Sequence, residues 1–464
     1  MKRFLYLILL ANLVISNAFA QEQTSNELIT KAIDSLLYGK RGFIKDKSII
    51  GANVGIYYSD KDYIQSYGLA DREKQIKVDT ATVFEIGSNT KVFTALLLSE
   101  DIVNNKVKEQ SFIDQYVPVN PAIKNKIIIT DLTTHTSGLP TLHDSESLAP
   151  LDKIDSLYPL DHVDNSYLLA LLKNTDSLRG YGTYDYSNTA FGVLGYILTK
   201  THHTTYEHLI NTEILEPLQM HHTYCKIDTN NSHLTRPYND GDRAPYIKLS
   251  GLASAGCIMS DMPDMLQFLK YQLGMHCSLD EAIKLTHKIR YTNNALMMGM
   301  GWHSTRMYQD TVYIMRGDTY GSSSLLFFDP NRQLAISIML NTEKDESTQQ
   351  YLAFLLRKII GESPEYSKRF DKPVITLSDD VLNSYVGEYA LFAGFHLIVT
   401  ADNKSLFVQG TNQPKSKVDA VSENWFISKE VRAEFEFVKN NEGKVTKLIL
   451  HQNGNDIEGV KLDK

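Results

Sequence analysis

Apolar residues recur every three to four positions at Leu28, Ile29, Ala32, Ile33, Leu36 and Leu37, which predicts an amphipathic helix. Residues 52–58 are instead rich in strand formers. Turn residues Ser59-Asp60-Lys61-Asp62 follow, then a second strand-like run over 63–67, so the segment predicts a hairpin. Helical spacing returns over 88–103, where Val92, Phe93, Ala95, Leu96 and Ile102 are available for burial. From about residue 105 to 270 the pattern predicts mostly helices joined by long loops. Short strands are predicted at 298–302, 311–315, 323–328 and 334–340, and a second amphipathic helix over 351–360. Strands from both ends of an α-rich middle predict one antiparallel sheet, assembled non-locally and flanked by helices, in an α/β (α+β) fold.

Residues 362–372 are polar, contain Pro364 and run into Pro373, the composition of a linker. Beyond them Val431, Ala433, Phe435 and Phe437 alternate with Arg432, Glu434 and Glu436, a half-buried strand pattern. Turn signals recur at Asp402-Asn403, Asn440 to Gly443 and Asn453-Gly454, which predicts a small all-β barrel or sandwich. The expected organisation is a leader over 1–20, a main domain over 21–362, a linker over 363–372 and a β-domain over 373–464.

The 464 residues are 42% hydrophobic and 22% charged, with a net charge of −8, which is globular composition with room for more than one domain. No basic stripe argues for nucleic acid. Lys2 and Arg3 precede an apolar run over 4–15, and Ala18-Phe19-Ala20 follows, in the order of a secretory signal cleaved after Ala20. The run is too short to span a bilayer, which takes about 20 residues, and no later segment is apolar enough. The expectation is an exported protein, periplasmic or extracellular, with no membrane span. Cys225, Cys257 and Cys277 make an odd, sparse set. One pair could join in an oxidising compartment, but buried small side chains are the plainer expectation.

Chemistry concentrates at Ser88-Asn89-Thr90-Lys91, the single Ser-x-x-Lys in the chain. A serine hydroxyl needs a neighbour to take its proton, and residues i and i+3 of a helix share a face, so the Lys91 amine can reach the Ser88 oxygen. At the first turn of a helix backbone N–H groups lack intrahelical partners, and that of Ser88 can serve as half of an oxyanion hole. Tyr186-Ser187-Asn188 supplies a second group. Tyr186 can shuttle a proton if the Lys91 charge lowers its pKa, and Asn188 can bond both the lysine and a substrate amide. Tyr291-Thr292-Asn293 repeats the pattern without the glycines before it or the apolar helix after it.

Residues 84–91, 130–140 (Thr-Asp-Leu-Thr-Thr-His-Thr-Ser-Gly-Leu-Pro) and 186–188 resemble the class C β-lactamase-like serine hydrolase family, as do Glu216-Pro217-Leu218-Gln219-Met220 and Ser254-Ala255-Gly256. That family includes penicillin-binding DD-peptidases, D-aminopeptidases and esterases. The tail, with Tyr385-Val386-Gly387-Glu388-Tyr389 and His451-Gln452-Asn453-Gly454, resembles the lipocalin-like domain appended to some members. The resemblance implies that Ser88 is the nucleophile and that Lys91 and Tyr186 form its proton-transfer pair, either of them being the acylation base. It implies no metal and no cofactor, and a small-molecule or peptide substrate.

The family's third motif, Lys-Thr-Gly or His-x-Gly, is absent. The matching stretch is Met315-Arg316-Gly317-Asp318, counted back from Thr319. Gly317 is expected to let substrate approach the strand, and the Asp318 N–H to complete the oxyanion hole. Met315 cannot bind a carboxylate, and strand alternation is expected to point Arg316 to the opposite face. Met315 therefore favours small amides, D-amino-acid peptides or esters as substrates. A β-lactamase and a non-hydrolytic cell-wall-peptide binder stand as alternatives. His202, His203, His208, His221 and His222 crowd one segment, but no His-Glu-x-x-His is present and no metal site is expected there.

Overall fold

In the computed structural model the described residues are 27–36, 49–293, 296–307, 310–343, 347–359, 369–392, 395–411, 413–452 and 455–462. The expected leader, most of the expected linker and the Asn453-Gly454 turn lie outside them. The chain separates into two compact units, one built mainly from residues 33–352 and the other from 353–464.

The larger unit is organised on a nine-stranded sheet. Its order runs Ile76–Lys77, Lys61–Asp71, Gly51–Tyr58, Leu334–Leu340, Ser323–Asp329, Asp310–Asp318, His303–Met307, Met297–Met298 and Tyr291–Thr292. The expected non-local assembly is present: the early hairpin pairs antiparallel with the late strands, Ala52 opposite Leu340 and Ile56 opposite Ile336. Ser323–Asp329 and Leu334–Leu340 are buried along their whole length, as strands in the middle of a covered sheet should be.

Helices Thr90–Val103, Asn188–His202 and Met262–Gln272 supply much of one hydrophobic core, in which Phe93 stacks on Phe268 with ring centroids 4.1 Å apart. Thr90–Val103 is buried on nearly every side, packed among other helices. One strand expectation fails in part. Within 298–302 only Met298 is in a strand, and Gly301 takes a positive φ of 75° that turns the chain before His303–Met307.

Cys225 and Cys257 form a disulfide, which corrects the expectation of separate buried thiols, and Cys277 is free. Among the described residues no helix is long and apolar enough to cross a membrane.

The second unit holds a closed barrel of eight strands in sequence order, from Gly387–Phe392 to Asn455–Lys461. It closes where Tyr389 pairs with Lys461 and Ala390 with Val460. Tyr389, Phe426, Phe437 and Leu448 fill the interior, as side chains do in a barrel of this size. Ahead of the barrel, Arg369 and Lys372 both reach the buried Glu434 carboxylate.

Candidate active site

The turn that presents Ser88 is set by its neighbours. Gly87 has a φ of 50°, and a Cβ there would come within 2.5 Å of the Asp318 carbonyl oxygen and 2.9 Å of its nitrogen. Only glycine suits both the left-handed backbone and so close a strand. A 3-10 turn over Gly87–Asn89 leads into helix Thr90–Val103, so Ser88 sits ahead of the regular helix. Ser324 clamps the turn from below: its hydroxyl donates to the Ile86 carbonyl at 2.8 Å and accepts from the Asn89 amide at 2.7 Å.

Lys91 is fully buried. Its Nζ lies 2.9 Å from Ser88 Oγ, 3.0 Å from Asn188 Oδ1 and 2.9 Å from the Ala255 carbonyl. Burial holds this amine well below the usual lysine range. Tyr186 precedes helix Asn188–His202, whose first turn is capped by Ser187 accepting from the Ala190 N–H. Its hydroxyl donates to Ser88 Oγ at 2.6 Å. Burial pushes the Tyr186 phenol upward, against the hydrogen bond to Ser88 that draws it down. The expectation of a Tyr186 acidified by lysine charge is therefore wrong in sign, because desolvation governs both groups. Asn188 also donates from Nδ2 to the Leu142 carbonyl at 2.9 Å, which fixes the orientation of its amide.

These groups open on a cavity of about 830 Å³ that is lined by Ser88, Tyr184, Tyr186, His143, Arg316 and Asp318 and by the apolar Leu160, Ile247, Leu249 and Leu252. His143 stands edge-on to the Tyr186 ring at 4.9 Å, and burial and then Lys91 hold its pKa down. His303, which contacts the Tyr184 hydroxyl at 2.7 Å, is pushed by burial down to about 4.

The third-motif strand departs from expectation in two ways. Gly317 does not face substrate: a Cβ there would meet the Ile86 carbonyl at 1.9 Å and the Asn89 nitrogen at 2.8 Å. Its missing side chain lets the strand lie directly on the turn that carries Ser88. Arg316 is on the face opposite Met315, as alternation requires, yet it also lines the cavity, where its Nε is 2.7 Å from Asp318 Oδ2. Met315 is 1% exposed and belongs to the hydrophobic core. The Thr319 N–H bonds the Ser322 carbonyl at 2.9 Å, so by antiparallel alternation the Asp318 N–H points away from strand Ser323–Asp329.

Outside this cluster, the histidines of residues 202–222 do not converge. His202 pairs with Asp101 at 2.8 Å, and His203 ends a helix with a positive φ of 52°. His222 lies with Asp261 and Asp264, their ligand atoms within 4.8 Å, but Asp261 caps helix Met262–Gln272 and Asp264 accepts from Thr223. Tyr291 packs beside Tyr184, ring centroids 6.4 Å apart, and is not part of the cavity wall. Sequence reasoning assigned no role to Glu85, Thr319 or the Ala255 carbonyl, although Glu85 lies in the 84–91 segment, Ala255 in Ser254-Ala255-Gly256 and Thr319 beside the third-motif stretch.

The Beta-lactamase family model matches residues 29–359. The chain belongs to that family. Residues 371–461 match a domain of unknown function, DUF3471. A β-lactamase of Psychrobacter immobilis is 27% identical over 81% of this chain and 94% of its own length. Penicillin-binding protein 4* of Bacillus subtilis is 24% identical over 86% of this chain and 92% of its own length. Among solved structures, a class C β-lactamase superposes with a TM-score of 0.62 at 23% identity, covering 72% of this chain and 96% of that one, a likeness of fold.

Proposed function

We propose that the protein is an exported serine hydrolase that works through an acyl-Ser88 intermediate on small amides, D-amino-acid peptides or esters. The observation that carries this reading is the convergence of Lys91 Nζ and Tyr186 OH on Ser88 Oγ, at 2.9 and 2.6 Å, in the wall of a cavity. Burial lowers Lys91 and raises Tyr186, which divides the labour: the amine is the base for acylation and the phenol is the acid. Ser88 Oγ attacks the acyl carbon while its proton passes to Lys91. The N–H groups of Ser88 and Asp318 hold the oxyanion. Tyr186 gives its proton to the leaving group and the Lys91 ammonium, released from the now acylated Ser88 Oγ, returns one to the phenolate; water then attacks the acyl-serine with Lys91 again as base, and that proton passes to Ser88 Oγ as it leaves.

A β-lactamase reading is favoured by one observation, the Arg316 guanidinium in the cavity wall, which is suited to a substrate carboxylate. Its pairing with Asp318 and the burial of Met315 weigh the other way. The test is labelling with a fluorophosphonate, followed by turnover of nitrocefin and of an ester and D-peptide panel. Wild-type protein should label at Ser88, and Ser88→Ala should lose both label and turnover. Turnover retained by Ser88→Ala would refute the assignment, and an unlabelled wild-type protein would favour a non-hydrolytic binder.

A further inference from the structure

Glu85 lies two positions before Gly87, on the short strand Phe84–Glu85, and is 3% exposed. Its Oε1 accepts the Ile247 backbone N–H at 2.9 Å, from a loop that lines the cavity. Its Oε2 accepts the Thr319 hydroxyl at 3.0 Å. Thr319 directly follows Asp318 and opens the turn between Asp310–Asp318 and Ser323–Asp329. One carboxyl group thus spans the base of the nucleophile turn, the cavity loop and the tip of the third-motif hairpin.

The hydrogen-bond inventory of Thr319 shows what Glu85 does for the hairpin. Its Oγ1 accepts two backbone N–H groups of its own turn, Ser322 at 3.1 Å and Gly321 at 3.4 Å, and donates its one proton to Glu85. A hydroxyl has one donor and two acceptor sites, so Thr319 is full. A carboxylate makes the bonds from Thr319 and Ile247 charge-assisted, and both weaken when Glu85 takes up a proton.

We propose that Glu85, as a carboxylate acting through Thr319, is the positioning residue that holds the Asp318 N–H over Ser88 in the oxyanion hole. The inference rests on the acyl-serine reading above. Glu85 touches neither Ser88 nor the reacting atoms, so its effect reaches catalysis through the hairpin.

Burial, and to a smaller extent Asp161, push the Glu85 carboxyl up to about 7 against the hydrogen bonds from Ile247, Thr319 and the Ser322 side chain. The other titratable groups on the elements around it are Tyr206, Tyr246, Tyr320, Lys248, Lys226 and Glu207. Asp161 is itself held by the Tyr320 hydroxyl at 3.1 Å and the Lys248 N–H at 3.2 Å, so it stays beside Glu85. Catalysis should therefore gain as pH rises through the neutral region, when the carboxylate forms and the turn locks.

The experiment compares wild type, Glu85→Gln, Thr319→Val, Thr319→Ser and the Glu85→Gln/Thr319→Val double variant on an ester substrate over pH 5–9. Thermal melts and rates of Ser88 labelling by a fluorophosphonate are measured alongside. Thr319→Val is expected to lower kcat by about 10- to 100-fold, short of or equal to loss of one oxyanion donor, with KM within about two-fold. Thr319→Ser, which keeps the hydroxyl, should recover most of the loss. The double variant should be no worse than the poorer single one, because both act on one contact. Glu85→Gln should remove one proton's worth of slope from the acidic limb of log kcat/KM and leave the limb set by Lys91.

Wild-type labelling and turnover in Thr319→Val, additive losses, or Thr319→Ser as poor as Thr319→Val would each overturn the inference alone. Wild-type protein that fails to label Ser88 would overturn the hydrolase reading and this one with it. If Glu85→Gln does not fold, the valine and serine variants at Thr319 still decide the matter.

Discussion

Gly317→Ala adds a single methyl group at the tightest place in the site. The new Cβ would lie 1.9 Å from the Ile86 carbonyl oxygen and 2.8 Å from the Asn89 nitrogen. To reach ordinary van der Waals contact one backbone must retreat by roughly 1.5 Å, and neither is a flexible side-chain end. The strain of such overpacking is typically about 1–3 kcal/mol of stability. The functional loss should be larger. The strand and the turn it presses carry Asp318 and Ser88, and a displacement of about 1 Å at reacting groups costs on the order of 100-fold in rate.

Gly299→Ala is the matched control. Its Cβ would meet the Thr286 carbonyl at 2.3 Å, and neither residue lines the cavity. Both variants should melt a few degrees lower, but only Gly317→Ala should lose about two orders of magnitude in kcat. The assay is kcat, KM and the melting midpoint measured together. If Gly317→Ala kept kcat within about three-fold of wild type, or if Gly299→Ala lost as much, the stacking of the strand on the nucleophile turn would not be what sets the geometry.

The Cys225–Cys257 disulfide closes a loop of sequence separation 32, worth about 3–4 kcal/mol by chain entropy. The paired serine variant should therefore melt several degrees lower, and thiol titration of denatured, unreduced wild type should find Cys277 alone; three free thiols would contradict the pairing. Asn188→Asp places a negative charge where the Lys91 amine now bonds an amide at 3.0 Å. It should raise the Lys91 pKa and move the acidic limb of kcat upward by about 1–3 pH units, since more base is needed to free the amine; a limb left in place would mean that Lys91 is not the group being titrated.

Much of the fold was legible because its pattern is local. Leu334–Leu340 is apolar at every position but Ser337 and bounded by polar residues, so its limits could be read directly. The hairpin at 51–71 declared itself through its turn residues. Residues 298–302 misled because Met298, Met300 and Trp302 alternate with glycine as a strand would, whereas Gly299 and Gly301 serve close packing and a positive φ. In the site, Ser88 and Lys91 announce themselves by spacing on one helical turn. The bond between Glu85 and Thr319 joins residues 234 positions apart, and no periodicity reports it. The direction of the Tyr186 shift was hidden for a related reason, because it depends on complete burial, which a turn tyrosine flanked by glycines does not advertise.

Hydrogen-bond accounting then discriminates between the two states of Lys91. If the group is an ammonium, it donates to Asn188, Ala255 and Ser88, and Ser88 Oγ accepts from both Lys91 and Tyr186. Both lone pairs of that oxygen are then occupied. Its hydrogen must find another acceptor, and attack on an acyl carbon first requires a bond to break. If the group is an amine, it donates to Asn188 and Ala255, and its lone pair accepts the Ser88 proton. Ser88 Oγ still accepts from Tyr186 and keeps one lone pair for the substrate. Burial favours the same state, so solvation and hydrogen-bond inventory agree on a neutral base before substrate arrives. Tyr186, kept protonated by the same burial, then already holds the proton the leaving group needs. The absence of lysine or histidine at Met315 leaves this pair intact, because neither Lys91 nor Tyr186 hydrogen-bonds to that position. What Met315 changes is recognition, since carboxylate binding would have to come from Arg316 in competition with Asp318.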